Sequence, residues 1–189
     1  MKLTLRDARR LGVGAALACG AILLPTAALA ASPAAGARAT VARCQPASTE
    51  VWAAVEGVGT AGTTYYELEF SNVGTQPCTL HGFPSVWAVT LRCAEIGKPA
   101  LHHGIVPTSV TLQPGATAHA VLGVVDTGAM CGRQGVRGAG LMVVPPGQPR
   151  LLGEADGIES FPLQVCPHVS SMNVRPIQSG TGIPGYTSS

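Results

Sequence analysis

The side chains that could do chemistry in this chain are few, and they do not converge in any familiar spacing. Ser85, following Gly82-Phe83-Pro84, is the one serine in a suggestive turn, and its partners would come from Asp126 or Asp156 and one of five histidines. No Gly-x-Ser-x-Gly elbow is present to strain a nucleophile into place, so the pattern argues against a serine hydrolase. His102 and His103 are adjacent and would point to opposite faces of a strand. His81, His119 and His168 are scattered, with no His-x-x-x-His or Cys-x-x-Cys, so the histidines read as surface or loop residues and no metal or other cofactor is expected. Cys93, in Leu-Arg-Cys-Ala-Glu, has only Arg92 as an activating neighbour, and in a continuing strand that side chain would face away from the thiol. Arg133 and Arg137 share a Gly-rich loop and read as solvated residues. Glu67 and Glu69 lie two apart, as alternating acids do on the solvent face of an antiparallel strand. With Tyr65 beside them and His81 further on, they form a candidate binding surface rather than a catalytic pair.

These side chains are carried by strands and turns. Thr49–Glu56 alternates, with Trp52 and Ala54 on its apolar face, and GVGTAGT at 57–63 is a turn rich in residues tolerant of unusual backbone angles. Tyr66, Leu68 and Phe70 line one face of the next segment, while Tyr65, Glu67 and Glu69 line the other. Val86–Leu91 is β-branched and aromatic. Val110–Leu112, the Pro114-Gly115 turn and Ala118–Val125 follow, then Leu141–Val144, Phe161–Val165 and Met172–Ile177. No helical period appears after the N-terminal segment. Seven or eight short strands separated by regular turn signals predict an all-β, antiparallel sandwich.

The N-terminus reads as an export signal. Lys2, Arg6, Arg9 and Arg10 precede an apolar run from Leu11 to about Leu24, and Ala28-Leu29-Ala30 is a small-x-small site, which predicts cleavage near Ala30. Cys19 offers a lipoprotein alternative, but Ala16-Leu17-Ala18 is a poor lipobox. Residues 31–43 are Ala, Gly and Pro-rich and read as a flexible tether; residues 178–189 read as a flexible tail. The leader holds four of the 12 Lys and Arg and one of the 10 Asp and Glu, leaving a formal charge of −1 on about 159 residues. A chain without excess positive charge is a poor partner for nucleic acid or anionic lipid. No span is expected in the remaining chain, which reads as a monomer whose partner would be an extracellular or cell-envelope protein or a glycan.

Five cysteines remain beyond the leader, and in an oxidising compartment they read as disulfide material. A Cys44–Cys78 bond across a hairpin centred on Ala61 faces Trp52 with Phe70 and Ala54 with Leu68. A slip of one residue would set Trp52 against Glu69 and turn one apolar face outward, so the hydrophobic pattern favours the same register as the cysteine spacing. Cys131–Cys166 follows by elimination, which leaves Cys93 as a free thiol, packed or dimer-forming.

Taken in order, the Cys44 segment, YYELEFSNVG, CTLHGFP, VTLQPGATA, Cys131-Gly132, LMVVPPG, Cys166 and NVRPI resemble an actinobacterial exported domain, catalogued as domain of unknown function forty-two thirty-two. The resemblance spans about Cys44–Ile177. It implies an immunoglobulin-like β-sandwich, exported or lipid-anchored, with four cysteines matching Cys44, Cys78, Cys131 and Cys166. It supplies no catalytic residue to carry over, and Cys93 departs from it by placing a cysteine where the family has a polar turn.

Overall fold

A computed structural model describes residues 40–54, 56–105, 109–149, 156–158 and 160–182. The leader with Cys19 and Ala30, and most of the tether, lie outside the described residues. The elements in chain order are β1 (Thr49–Ala53), β2 (Val58–Thr60), β3 (Thr63–Asn72), β4 (Cys78–His81), β5 (Ser85–Val89), β6 (Glu95–Ile96), β7 (Leu101–His102), β8 (Ser109–Leu112), β9 (Thr117–Val125), the one-turn α1 (Thr127–Met130), β10 (Val136–Gly138), β11 (Gly140–Val144), β12 (Asp156–Ile158), β13 (Leu163–Val165), β14 (Met172–Val174) and β15 (Gln178–Ser179). No described helix is long and apolar enough to cross a membrane.

The fold is an all-β sandwich. The large sheet runs β1-β3-β9-β14-β7, with β2 added to β3 and β15 added to β9. Its strands pair antiparallel except β14 with β7. A second sheet runs β12-β11-β5-β6, and β4-β8 and β10-β13 form two shorter ladders. The alternation read in the sequence decides what lies between them. Leu68 and Phe70 of β3, Ala118, Ala120 and Leu122 of β9, and Met172 and Val174 of β14 turn inward. They meet Val86 and Ala88 of β5, Leu141 and Val143 of β11, and Leu80 and Leu112 of the β4-β8 ladder. Tyr66 closes one end edge-on against Phe161, with ring centroids 4.7 Å apart.

The hairpin register differs from the one the sequence favoured. β1 pairs with β3 so that Val51 faces Phe70, Trp52 faces Glu69 and Ala53 faces Leu68. Val51 and Ala53 pack on the core, and Trp52 stands outside it, 54% exposed. The cause is a bulge. Ala53 faces Leu68 and Val58 faces Tyr65, so the segment between β1 and β2 carries two more residues than the stretch of β3 it passes. Gly57 fits there because a Cβ at that position would lie 2.5 Å from Thr64 Cγ2. The turn itself is two residues, Ala61 and Gly62, both with positive φ, as a tight hairpin with right-handed strand twist requires.

The disulfides are Cys44–Cys78 and Cys131–Cys166, but the first does not cross the β1-β3 hairpin. β3 ends at Asn72, and Cys78 opens β4, facing Leu112 of β8. Cys44 reaches it from a short parallel bridge between Arg43 and Thr79. There the Thr79 N–H donates to the Ala42 carbonyl at 2.8 Å and the Cys44 N–H to the Thr79 carbonyl at 3.0 Å. The tether is therefore tied down from Ala42 onward.

Asn72 organises the corner between the sheets. It is fully buried, and its Nδ2 donates to the carbonyls of Gln76 at 2.9 Å and Leu112 at 3.1 Å. Its Oδ1 accepts the Gly74 N–H at 3.0 Å. Its own carbonyl accepts the Gly115 N–H at 2.7 Å, and its N–H donates to Ala116 at 3.0 Å. β8 and β9 therefore do not pair with each other across Pro114-Gly115. β8 stays with β4, and the chain crosses at Asn72 to lay β9 beside β3.

Candidate functional site

The outer face of the large sheet gathers polar and aromatic side chains from β1, β3 and β9. Because β1 and β3 pair in the observed register, Trp52 faces Glu69. Glu69 in turn faces His119 of β9, and His119 faces Gln178 of β15 on its other side. Trp52, Glu69 and His119 thus form one row across three strands. In the next row Glu67 faces Val121, and in the one after that Tyr65 faces Gly123.

His119 and Val121 point away from the core yet are 4% and 1% exposed. The C-terminal segment helps account for this. Gln178 and Ser179 pair with β9 opposite His119 and Ala118. The Gly180 carbonyl then accepts from His119 Nδ1 at 2.9 Å, and the Gly182 N–H donates to the Glu67 carboxylate. Read in the sequence as a free tail, residues 178–182 are a strand and a strap. A carbonyl can only accept, so Nδ1 carries the proton, and in the neutral ring Nε2 is an acceptor. Nε2 is buried and has no hydrogen-bond partner among the described residues.

Charge on this face is crowded. The Glu69 carboxyl is held above the usual glutamate range, first by burial and then by the neighbouring Glu67 carboxylate, with His119 acting in the opposite sense. Glu50 is on the same strand as Trp52 and exposed. The Arg175 guanidinium lies 6.0 Å from the centre of the Tyr65 ring, and the Arg175 N–H donates to the Val121 carbonyl at 2.9 Å. Gly123 leaves room for the Asn173 amide, which a Cβ there would meet at 2.7 Å.

The residues singled out in the sequence separate in three dimensions. Tyr65, Glu67 and Glu69 share the outer face, but His81 belongs to the β4-β8 ladder, where its Nδ1 is 3.2 Å from Ser109 Oγ. Ser85 begins β5 opposite Val144. Asp126 caps α1, its carboxylate accepting the Gly128 N–H at 2.8 Å. His102 stacks on Phe83 with ring centroids 4.4 Å apart. No three His, Cys, Asp or Glu side chains among the described residues could hold a metal ion. β5 ends at Val89, so Cys93 is not on a strand; it is exposed, with φ of 57°. The turn around it is held by Thr90 Oγ1, which accepts from the Arg92 and Ala94 N–H groups at 3.2 Å each.

Two concavities flank β10. One, of about 600 Å³, is lined by Thr64, Tyr66, Asp126, Thr127 and Gln164; the other, of about 820 Å³, by Leu91, Arg92, Ala94, Ala139 and Ser160. Arg137 and Pro162 border both.

Sequence reasoning missed Trp52 and His119 as parts of the face. Trp52 was placed in the core by its hydrophobicity, and His119 lies in a run, Ala118–Val121, whose neighbours are all apolar. The bulge before β2 sets the phase of β1 and turns Trp52 outward, while His119 owes its place on the face to its register with Glu69 of β3.

No curated protein and no solved structure matches this chain. A family model does match it, over residues 44–178. That range begins at the first disulfide cysteine and ends inside β15, so it contains the sandwich, both disulfides and the Trp52–Glu69–His119 row. The chain belongs to the family described as Domain of unknown function (DUF4232).

Proposed function

We propose that the protein is an exported, non-catalytic binding module of an actinobacterial cell envelope or its surroundings. In this reading it presents the outer face of an immunoglobulin-like sandwich to an extracellular protein or glycan. The observation that carries the reading is Trp52, held 54% exposed beside Glu69 on β1, the edge strand of the large sheet. An exposed indole on a rigid strand is a costly residue to leave in water, and it is a common anchor of binding surfaces. The leader supports export, and two disulfides suit an oxidising compartment. Polar groups on this face are held by strands and by the strap, as a preorganised recognition surface requires.

Glycan arrays and peptide panels probed with the protein and with Trp52→Ala test the reading. Signal that disappears in the variant, at unchanged unfolding temperature, is the expected result. Equal signal from both proteins removes the face from consideration, and turnover of an ester, peptide or glycoside substrate would replace the reading with an enzymatic one.

A further inference from the structure

We infer that the apolar concavity between β10 and the turn at Thr90–Ala94 is a binding site for an aliphatic carboxylate. A free fatty acid would lie with its chain on the apolar floor and its head group at Arg92 and Arg137. The site shares no lining residue with the Trp52 face, and the inference goes beyond the role proposed for that face.

Backbone bonds build the site. β5 ends at Val89; the Thr90 N–H then donates to the Ala94 carbonyl at 2.8 Å, and the Cys93 N–H donates to the Thr90 carbonyl at 2.9 Å. This closes a tight turn with Leu91 and Arg92 at its tip. Ala139, between β10 and β11, ties the floor to both walls. Its N–H donates to the Val89 carbonyl at 2.8 Å, and its carbonyl accepts the Phe161 N–H at 3.0 Å. Ser160, just before Phe161, has a φ of 67°, and Cys93, in the turn, a φ of 57°. Such backbone is uncommon outside glycine and gathers at binding and catalytic sites. Two of the three described non-glycine residues with positive φ stand in the segments that wall this one concavity.

The lining specifies the ligand. The volume of about 820 Å³ falls within the range of about 300–1,000 Å³ common for ligand pockets. Leu91, Ala94, Ala139 and Pro162 make the lining apolar, and Leu91 is left 92% exposed. Arg92 and Arg137 line it too; both are exposed, and neither guanidinium has a hydrogen bond or ion pair among the described residues. No carboxylate is among the described lining residues. Two uncompensated guanidiniums beside an apolar floor match a ligand with one anionic end and one apolar body. A guanidinium is always charged and forks onto a carboxylate through two N–H donors. The net charge of the chain disfavours broad anionic surfaces, but a single carboxylate needs only a local pair of arginines.

The test is an NMR titration of the protein with acetate, hexanoate, decanoate and decanol, below their micelle-forming concentrations. A fully buried methylene tightens binding by up to about fourfold. On this open floor decanoate should bind at least fivefold more tightly than hexanoate, and acetate should not saturate. Shifts at Leu91, Ala94 and Ala139 should move while those at Trp52 and Glu69 stay in place. Decanol should bind at least fivefold more weakly than decanoate. Arg92→Gln with Arg137→Gln should abolish that preference, and Leu91→Asp should weaken decanoate at least fivefold. All three positions are exposed, so the unfolding temperature should hold, and Trp52→Ala should leave decanoate binding unchanged. Equal binding of decanol and decanoate overturns the inference. So does the absence of saturation with decanoate, or a double arginine variant that keeps the preference. A protein that sediments as a dimer, becomes a monomer in Leu91→Asp and ignores decanoate assigns the concavity to a second copy and overturns it as well.

Discussion

Replacing Asn72 by alanine should be among the most damaging single changes outside the apolar core. The side chain makes three hydrogen bonds, to Gln76, Leu112 and Gly74. Their losses are unequal. Gln76 is exposed and Gly74 half-buried, so water can replace the amide there, and each bond is worth about 0.5–1 kcal/mol. The bond to the Leu112 carbonyl is buried, and a carbonyl orphaned in such a place costs about 1–3 kcal/mol. The expected destabilisation is therefore roughly 2–5 kcal/mol, a fall in midpoint of about 4–20 °C for a domain of this size. Thermal and denaturant unfolding of the wild type and variant would measure it. Asn72→Asp sharpens the test, because it keeps the Oδ1 acceptor and turns the two-donor amide into a second acceptor facing two carbonyls. At neutral pH it should be worse than alanine, and it should recover as acid returns a donor to the carboxyl. An alanine variant within about 0.5 kcal/mol of wild type, the scatter of ordinary surface substitutions, would refute the reasoning, as would an aspartate variant as stable as asparagine.

Replacing Cys131 and Cys166 together by serine removes a link closing a loop of 35 residues and should cost roughly 3–4 kcal/mol in denaturant unfolding. Because the Glu69 carboxyl is raised in the folded state, its contribution to stability is fully present below the ordinary glutamate value. That contribution is lost as pH rises through the raised one. Glu69→Gln should therefore flatten the decline of stability over that window and leave the protein at least as stable at neutral pH, as pH-dependent unfolding curves would show. Ending the chain after Ile177 should cost roughly 1–2 kcal/mol and open the His119 amide, which faces β15, to hydrogen exchange while Leu68 stays protected.

Much of the scaffold was legible because alternation is a local property. Tyr66, Leu68 and Phe70 face inward and Glu67 and Glu69 outward, as period two demands. The error at Trp52 was one of phase. Hydrophobicity put the indole inside, but Val51 and Ala53 already fill that face, and the two extra residues before β2 decide which set turns in. Such a bulge leaves no periodic trace, only a glycine at the point of closest approach. The disulfide Cys44–Cys78 was reached by extending the β1-β3 hairpin to both cysteines, which the chain does not do: Asn72 ends β3 six residues before Cys78, and no alternation reports that corner. His119 and the strap were invisible for a different reason. β15 is two residues long, flanked by glycine, and its value lies entirely in what it covers.

Gly180 follows His119 by 61 positions, which gives the strap a schedule. At about 5–20 residues per second, ribosomes need roughly 3–12 s to cover that distance. Until Gly180 has been made, the imidazole lacks its acceptor and the outer flank of β9 at His119 has no strand to pair with. The face on which recognition is proposed is thus completed late, by the last of the described strands. Messages that stop early would yield a sandwich with its core largely intact and that face incomplete.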